Sequence, residues 1–291
     1  MEFEGVFTRR EVKEADVQGV NAYRYSDILN YKSKIDVLLL AFGSSDNFCE
    51  KTAELSLHFN TVDSFDIHSD VEGRVNMIDK LAQNHKKTAV VSSGWDPGLM
   101  SLARLYFSAF MPYAKVTSLW GEGVSQGHSE AIRKIDGVKY AIEYTVPTDE
   151  ARASAYSEEV LTAEKMHKRV CYVVCEKSKE YEIAETIRNM RGYFLGYETE
   201  IKFISENDFL KNHSKLYHRG EVISSGSLKN GMTETAALTL HLDSNPDFTA
   251  NILLASARAA AKLNKEGKYG AFTVFDIPPK YFAPNVINGL L

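Results

Sequence analysis

Short apolar and β-branched runs recur through the first hundred residues, and each gives way to a stretch with helical spacing. Residues 3–7, 37–42, 60–64 and 88–92 read as strands, several of them apolar enough to be buried on both faces. A helix is expected over 47–58. Val75, Ile78, Leu81 and Ala82 form a second helical stripe, and Leu99, Leu102, Leu105, Tyr106, Ala109 and Phe110 a third. Strands alternating with helices at short intervals predict an α/β class with a doubly wound parallel sheet. In such sheets ligands bind outside the carboxyl ends of the strands. Gly94-Trp95-Asp96 falls at such an end. Asp96 stands where an N-cap belongs and Pro97 at the first helical position, so both a capping role and a ligand role are open for Asp96.

The rhythm changes downstream. A strand over 116–120 leads into Gly121-Glu122-Gly123-Val124-Ser125-Gln126-Gly127-His128-Ser129, where glycines let backbone N–H groups approach a ligand. A helix is expected over 130–135. Residues 138–146, 168–175, 200–204, 221–225 and 233–242 read as strands, with 178–190 as the clearest covering helix. This predicts a second, α+β domain with a mixed or antiparallel sheet. An Ala-rich helix over 247–265, ended by Gly267, and a strand over 271–275 read as a return to the first domain. The expected division is 1–94 with 244–291, and 95–243 between them. A cleft where two domains meet is the expected place for a small-molecule site.

The 291 residues leave room for two cores, and a net charge of −5 with 25% charged residues argues against a dedicated nucleic-acid binder. The longest apolar run, 37–42, is too short to span a bilayer, and no secretory pattern opens the chain. Cys49, Cys171 and Cys175 follow no disulfide pattern, which predicts a reducing, cytoplasmic setting with the thiols as small buried hydrophobes.

Several side chains carry candidate chemistry. Thr8-Arg9-Arg10 ends the first strand. In a nicotinamide-binding Rossmann unit, arginine at the end of the second strand pairs with a 2′-phosphate, favouring NADP over NAD. A solvated surface pair is the alternative. Asp66 and Asp96 both follow strands of the parallel sheet, where carboxylates could hold a substrate ammonium or take its proton. Trp120 offers a flat wall, Arg169 could clamp a carboxylate bidentately, and His218 is expected in a polar loop over 213–220. His167 and Cys171 are suitably spaced for a metal, yet no further ligand completes a set. There is no nucleophile elbow and no P-loop.

Taken together, Phe7-Thr8-Arg9-Arg10, Thr61-Val62-Asp63-Ser64-Phe65-Asp66-Ile67-His68, Ser93-Gly94-Trp95-Asp96-Pro97-Gly98, Trp120-Gly121-Glu122-Gly123, Ser125-Gln126-Gly127-His128-Ser129, His167-Lys168-Arg169, Asn245-Pro246-Asp247-Phe248-Thr249-Ala250 and Gly270-Ala271-Phe272-Thr273-Val274 resemble the meso-diaminopimelate D-dehydrogenase family. The blocks run from end to end in family order. The resemblance implies a homodimeric, NADP-dependent enzyme of lysine and cell-wall precursor synthesis. It would deaminate the D-centre of meso-2,6-diaminopimelate to L-2-amino-6-oxopimelate, which cyclises to tetrahydrodipicolinate, and ammonia. Residues 1–94 and 244–291 would then form a Rossmann-like dinucleotide-binding domain, and 95–243 a substrate-binding and dimerisation domain.

By the same resemblance, Thr8, Arg9 and Arg10 would hold the 2′-phosphate, and Phe42, Gly43, Ser44, His68, Pro97 and Gly98 would line the cofactor. Asp66, Asp96, Trp120, Gln126, Gly127, Thr145, Arg169, His218 and Asn245 fall where the family contacts substrate, with Asp66 and Asp96 nearest the reacting amine. The family also opens with a strand, a Gly-x-Gly-x-x-Gly turn and a helix ahead of the strand that here begins at Phe3. That unit, whose helix N-terminus holds the pyrophosphate, is not among these residues. The sequence therefore reads as a shortened form of a longer protein, the alternative being impaired cofactor binding. A non-catalytic ligand-binding remnant and a sister D-amino acid dehydrogenase are the competing functions.

Overall fold

A computed structural model describes residues 1–12, 19–41, 48–65, 71–228 and 230–284. The chain divides into two compact units, Met1–Ser101 with Thr249–Leu291, and Leu102–Phe248. In the first unit, β1 (Val6–Thr8) runs parallel to β2 (Ala22–Arg24). The second of these is a three-residue strand without a sequence pattern long enough to announce it. Next come β3 (Val37–Leu40), α1 (Phe48–Ser56), β4 (Asn60–Asp63), α2 (Val71–Asn84) and β5 (Thr88–Val90), then α3 (Leu99–Phe110), which belongs to the second unit from Leu102 on. Strands β3, β4 and β5 pair in parallel, in that order.

The second unit holds two sheets where one was expected. Its elements are β6 (Lys115–Trp120), β7 (Gly123–Val124), α4 (Gln126–Arg133), β8 (Val138–Pro147), α5 (Asp149–Ser154), α6 (Ala163–Met166), β9 (His167–Cys175), α7 (Glu180–Arg188), β10 (Thr199–Phe203), α8 (Glu206–Asn212), β11 (His218–Ser227) and β12 (Thr233–Leu242). Strand order β10-β9-β8-β7 forms a mixed sheet, with β10 parallel to β9 and the other pairs antiparallel. Strands β12, β11 and β6 form a wholly antiparallel one. On the mixed sheet, Ala141, Cys171 and Val173 pack against Ile132 of α4 and Ile183 and Ile187 of α7. Ile142, Tyr144 and Val170 point the other way, toward Phe209 of α8. Cys171 and Cys175 are free thiols.

The chain then returns to the first unit through α9 (Asn245–Lys265) and β13 (Gly270–Phe272), which pairs in parallel with β5. Strand alternation decides how that sheet is covered. Val62 and Val90 face Leu253, Ala257, Ala260 and Leu263 of α9. Ala89 and Val91 face Ile78 of α2 on the opposite side. Helices on both faces make the sheet doubly wound. The last strand stops at Phe272 rather than running to 275, because Asp276 accepts bonds from the Thr273 amide and hydroxyl and turns the chain away.

Candidate active site

At the carboxyl edge of the parallel sheet, Asp63 ends β4 fully buried. Its carboxylate accepts from Arg74 Nη2 at 2.9 Å, from the Ser92 amide at 2.9 Å and from the Phe65 amide at 3.1 Å. The Arg74 guanidinium also lies over the Phe65 ring, 4.1 Å from its centre. Burial pushes the Asp63 carboxyl up, while Arg74 and the two amides pull the other way. This acid ties together the chain ends leaving β4 and β5.

Beyond it the chain folds back on itself. The Gly94 amide donates to the Pro97 carbonyl at 2.7 Å, and the Leu99 and Met100 amides reach the Gly94 and Trp95 carbonyls. Gly98 sits at φ 134°, where a β-carbon would strike the Gly94 carbonyl. The helix consequently starts at Leu99. Asp96 is not its N-cap and Pro97 is not its first residue. Both belong to the preceding turn, joined by a cis peptide bond and half-buried. At the end of β1, Thr8 Oγ accepts from the Arg10 amide at 3.1 Å, and Arg9 and Arg10 are exposed. Asp66, His68, Phe42, Gly43 and Ser44 lie outside the described residues.

In the second unit the backbone register puts the candidate residues side by side. Thr145 pairs across the ladder with Arg169 on one side and with Gly123 on the other. Arg169 Nη1 donates to Thr145 Oγ at 2.6 Å. That hydroxyl donates in turn to the Glu143 carboxyl, at 3.2 and 3.3 Å to its two oxygens. Arg169 Nη1 and Glu143 Oε1 are 3.7 Å apart, beyond hydrogen-bond reach. The guanidinium lies over the Tyr197 ring at 4.4 Å, and its buried Nε has no acceptor among the described residues. Glu143 is 0% exposed. Burial pushes its acid up to about 8, against the pull of Arg169 and of the Thr145 hydroxyl.

His218 is not in a polar loop. It opens β11 and is buried, because the ladder to β12 begins at the His218–Leu242 pair. Its Nδ1 lies 2.7 Å from the Arg219 carbonyl, and burial lowers its basicity. A β-carbon at Gly123 would run into the His218 ring, so glycine permits this approach. The Trp120 amide donates to His167 Nε2 at 3.0 Å, and the Trp120 ring sits 5.4 Å from that imidazole. His167 is held neutral, its basicity lowered to about 4 by burial and then by Arg169 and Arg152.

Ser125 caps α4, of which Gln126 and Gly127 are the first two residues. The cap hydroxyl lies 2.7 Å from His128 Nδ1, and burial lowers His128 to about 4. Asn245 opens α9, with its amide on the Leu216 carbonyl, while the Val124 amide takes the Tyr217 carbonyl. Trp120, Gln126, Gly127, Thr145, Arg169, His218 and Asn245 thus stand on elements that converge at one end of the two sheets.

Glu143, Ser125, His128 and Tyr197 escaped assignment from the sequence. The available signal for Glu143 was a lone acid in an apolar strand, two residues before Thr145 and so on its face. Among the described residues, no three His, Cys, Asp or Glu side chains come together as a metal set. No helix there is long and apolar enough to cross a membrane.

Residues 94–244 match the family model of the diaminopimelic acid dehydrogenase C-terminal domain. The meso-diaminopimelate D-dehydrogenase of Acetivibrio thermocellus is 43% identical over 98% of this chain and 87% of its own length. The chain belongs to the meso-diaminopimelate D-dehydrogenase family. The Corynebacterium glutamicum enzyme of this family is 36% identical over 100% of the chain and 90% of its own length. The structure of the C. glutamicum dehydrogenase in complex with DAP superposes with a TM-score of 0.92 at 36% identity, covering 98% of this chain and 88% of that one. An engineered D-amino acid dehydrogenase bound to NADP+ gives a TM-score of 0.89 at 34% identity, covering 99% and 89%. Membership of this oxidoreductase family accounts for a parallel sheet and a second, two-sheet unit in one chain.

Proposed function

We propose that the chain serves NADP-dependent oxidative deamination of the D-centre of meso-2,6-diaminopimelate, yielding L-2-amino-6-oxopimelate and ammonia. The observation that carries this reading is Arg169, a buried guanidinium with one hydrogen bond to a neutral hydroxyl and an Nε without an acceptor among the described residues. A guanidinium so placed is built to receive a carboxylate. Arg169, Thr145 and His218 grip the distal L-centre carboxylate. Trp120, Gln126, Gly127 and Asn245 shape the wall around the substrate. A fixed grip on the far end selects the D-centre by geometry, because it decides which carbon is presented for oxidation.

Asp66 and Asp96 address the reacting amine. The ammonium first loses a proton, the carbon then gives up a hydride, and water adds to the resulting iminium to release ammonia. The acids orient the nitrogen and pass its protons. The chemistry a bound NADP supplies is acceptance of that hydride. Thr8, Arg9 and Arg10 suit its 2′-phosphate: two exposed guanidinium groups beside a strand-end hydroxyl form a donor set for a dianion. By the family resemblance, Phe42, Gly43, Ser44, His68, Pro97 and Gly98 are the further residues assigned to the cofactor.

A homodimer is part of the proposal. Phe110, Tyr113 and Met232 of the second unit are 74%, 63% and 59% exposed, large apolar side chains of the kind that partners cover. The deciding experiment is absorbance of reduced cofactor with meso-diaminopimelate and NADP, run beside NAD. Turnover with NADP and weak use of NAD is expected. Equal rates with the two nucleotides would remove the arginine argument, and no turnover by the protein in which this chain occurs would remove the reading.

A further inference from the structure

Glu143 contacts Thr145 of the proposed carboxylate grip and has no part in the chemistry described above. It sits on β8 two residues before Thr145, so both side chains share one face of the strand. Its partners form a short relay. The Arg169 Nη1–H donates to Thr145 Oγ, and the Thr145 O–H donates to Glu143. The hydroxyl stands between cation and acid and holds them 3.7 Å apart.

We propose that Glu143 is a positioning residue that sets the charge Arg169 presents to an incoming carboxylate, working through the Thr145 hydroxyl and exchanging a proton as the carboxylate binds. The inference rests on the reading of Arg169 as the distal carboxylate clamp. With Glu143 protonated, the guanidinium is a buried cation without a counter-ion at hydrogen-bond distance among the described residues, and a substrate carboxylate supplies one. With Glu143 ionised, the cation already has an internal partner and the ligand must compete with it. Binding therefore favours the protonated acid, and the ligand's negative charge strengthens that preference.

The surroundings leave Glu143 as the group that responds. From β9 it meets Arg169 and, directly across the ladder, Cys171, whose thiol burial keeps protonated. On α4, His128 stays neutral with basicity near 4, and Arg133 donates to the Ala141 carbonyl. Ahead of β10, Tyr197 presents a ring face to Arg169. Burial places the Glu143 acid near 8, inside the working range of a dehydrogenase assay.

Calorimetry of meso-diaminopimelate binding from pH 6.5 to 9.5, in buffers of different ionisation enthalpy, tests this. Wild type should take up a proton on binding near pH 8, and its Kd should rise above that pH by up to about tenfold per unit. Glu143→Gln keeps the size and an acceptor for Thr145. It should abolish the uptake and flatten that rise. If Arg169→Met binds as tightly as wild type, the clamp reading itself has failed. If Arg169→Met weakens binding but Glu143→Gln takes up the same proton as wild type, the clamp survives and the role of Glu143 is overturned. A wild-type Kd that is flat with pH and free of proton uptake overturns it without any variant.

Discussion

Among the described residues each unit buries one carboxylic acid beside one arginine, and the two pairs are built differently. In the first unit, Asp63 and Arg74 are in direct contact at 2.9 Å through one carboxylate oxygen, and two backbone amides donate to the other. In the second, Glu143 and Arg169 are held at 3.7 Å with the Thr145 hydroxyl between them. Both guanidinium groups lie over an aromatic ring, Phe65 in one case and Tyr197 in the other. What separates them is the contact between acid and cation. Asp63 meets Arg74 directly and takes two backbone amides besides, so the pair acts as a brace for the strand ends. Arg169 gives its Nη1 to a neutral hydroxyl and stands beyond hydrogen-bond reach of its acid, which is the feature the proposed clamp uses. A buried acid–arginine pair is informative about function when the two do not meet directly.

Removing one side of the brace should produce the largest effect. Asp63→Ala leaves the Arg74 cation buried without its counter-charge and should cost about 3–5 kcal/mol of stability in urea unfolding. A loss below about 1 kcal/mol would erase the distinction between brace and clamp. Arg169→Met should weaken meso-diaminopimelate binding about 100-fold by calorimetry, since a charge-assisted bond is worth about 1.5–3 kcal/mol. The same substitution should cost less stability than Asp63→Ala at pH 7, because a neutral Glu143 needs no counter-ion.

Stability against pH sharpens the contrast. The Glu143 acid titrates near 4.5 when unfolded and near 8 in the fold. Protonation therefore favours folding: its contribution is complete below about 4.5, declines as pH rises, and is gone above about 8. Glu143→Gln should gain on wild type across that window in unfolding free energy, and parallel curves would count against a buried neutral acid. In the first unit, Arg9→Ala and Arg10→Ala should each lower the preference for NADP over NAD about tenfold in kcat/KM, a modest figure because both side chains are exposed. The smallest change is Ser125→Ala, which removes the cap of α4 and should cost about 1 kcal/mol by thermal unfolding.

Much of the fold was legible in the chain. The apolar periods of β3, β4, β5, α2, α9 and the long strands β8 and β9 are strong, and each element forms close to where its pattern lies. The misses have local causes. Strand β2 has three residues, too few for a period. Asp96 and Pro97 carry ideal helix-start chemistry, yet a bond from the Gly94 amide to the Pro97 carbonyl places them in a turn. His213 to Gly220 looks polar, but pairing to Leu242 draws His218 into a buried ladder.

The sequence alone determined the class of each unit, because hydrophobic periodicity is written residue by residue and needs no distant partner. It also supplied the blocks that mark the family. The tertiary structure alone decided that Glu143, Thr145 and Arg169 form one relay. Thr145 and Arg169 lie 24 positions apart and meet only through the antiparallel register of β8 and β9. Register is a property of two strands together, and neither strand's own sequence records the distance at which an acid will stand from its arginine.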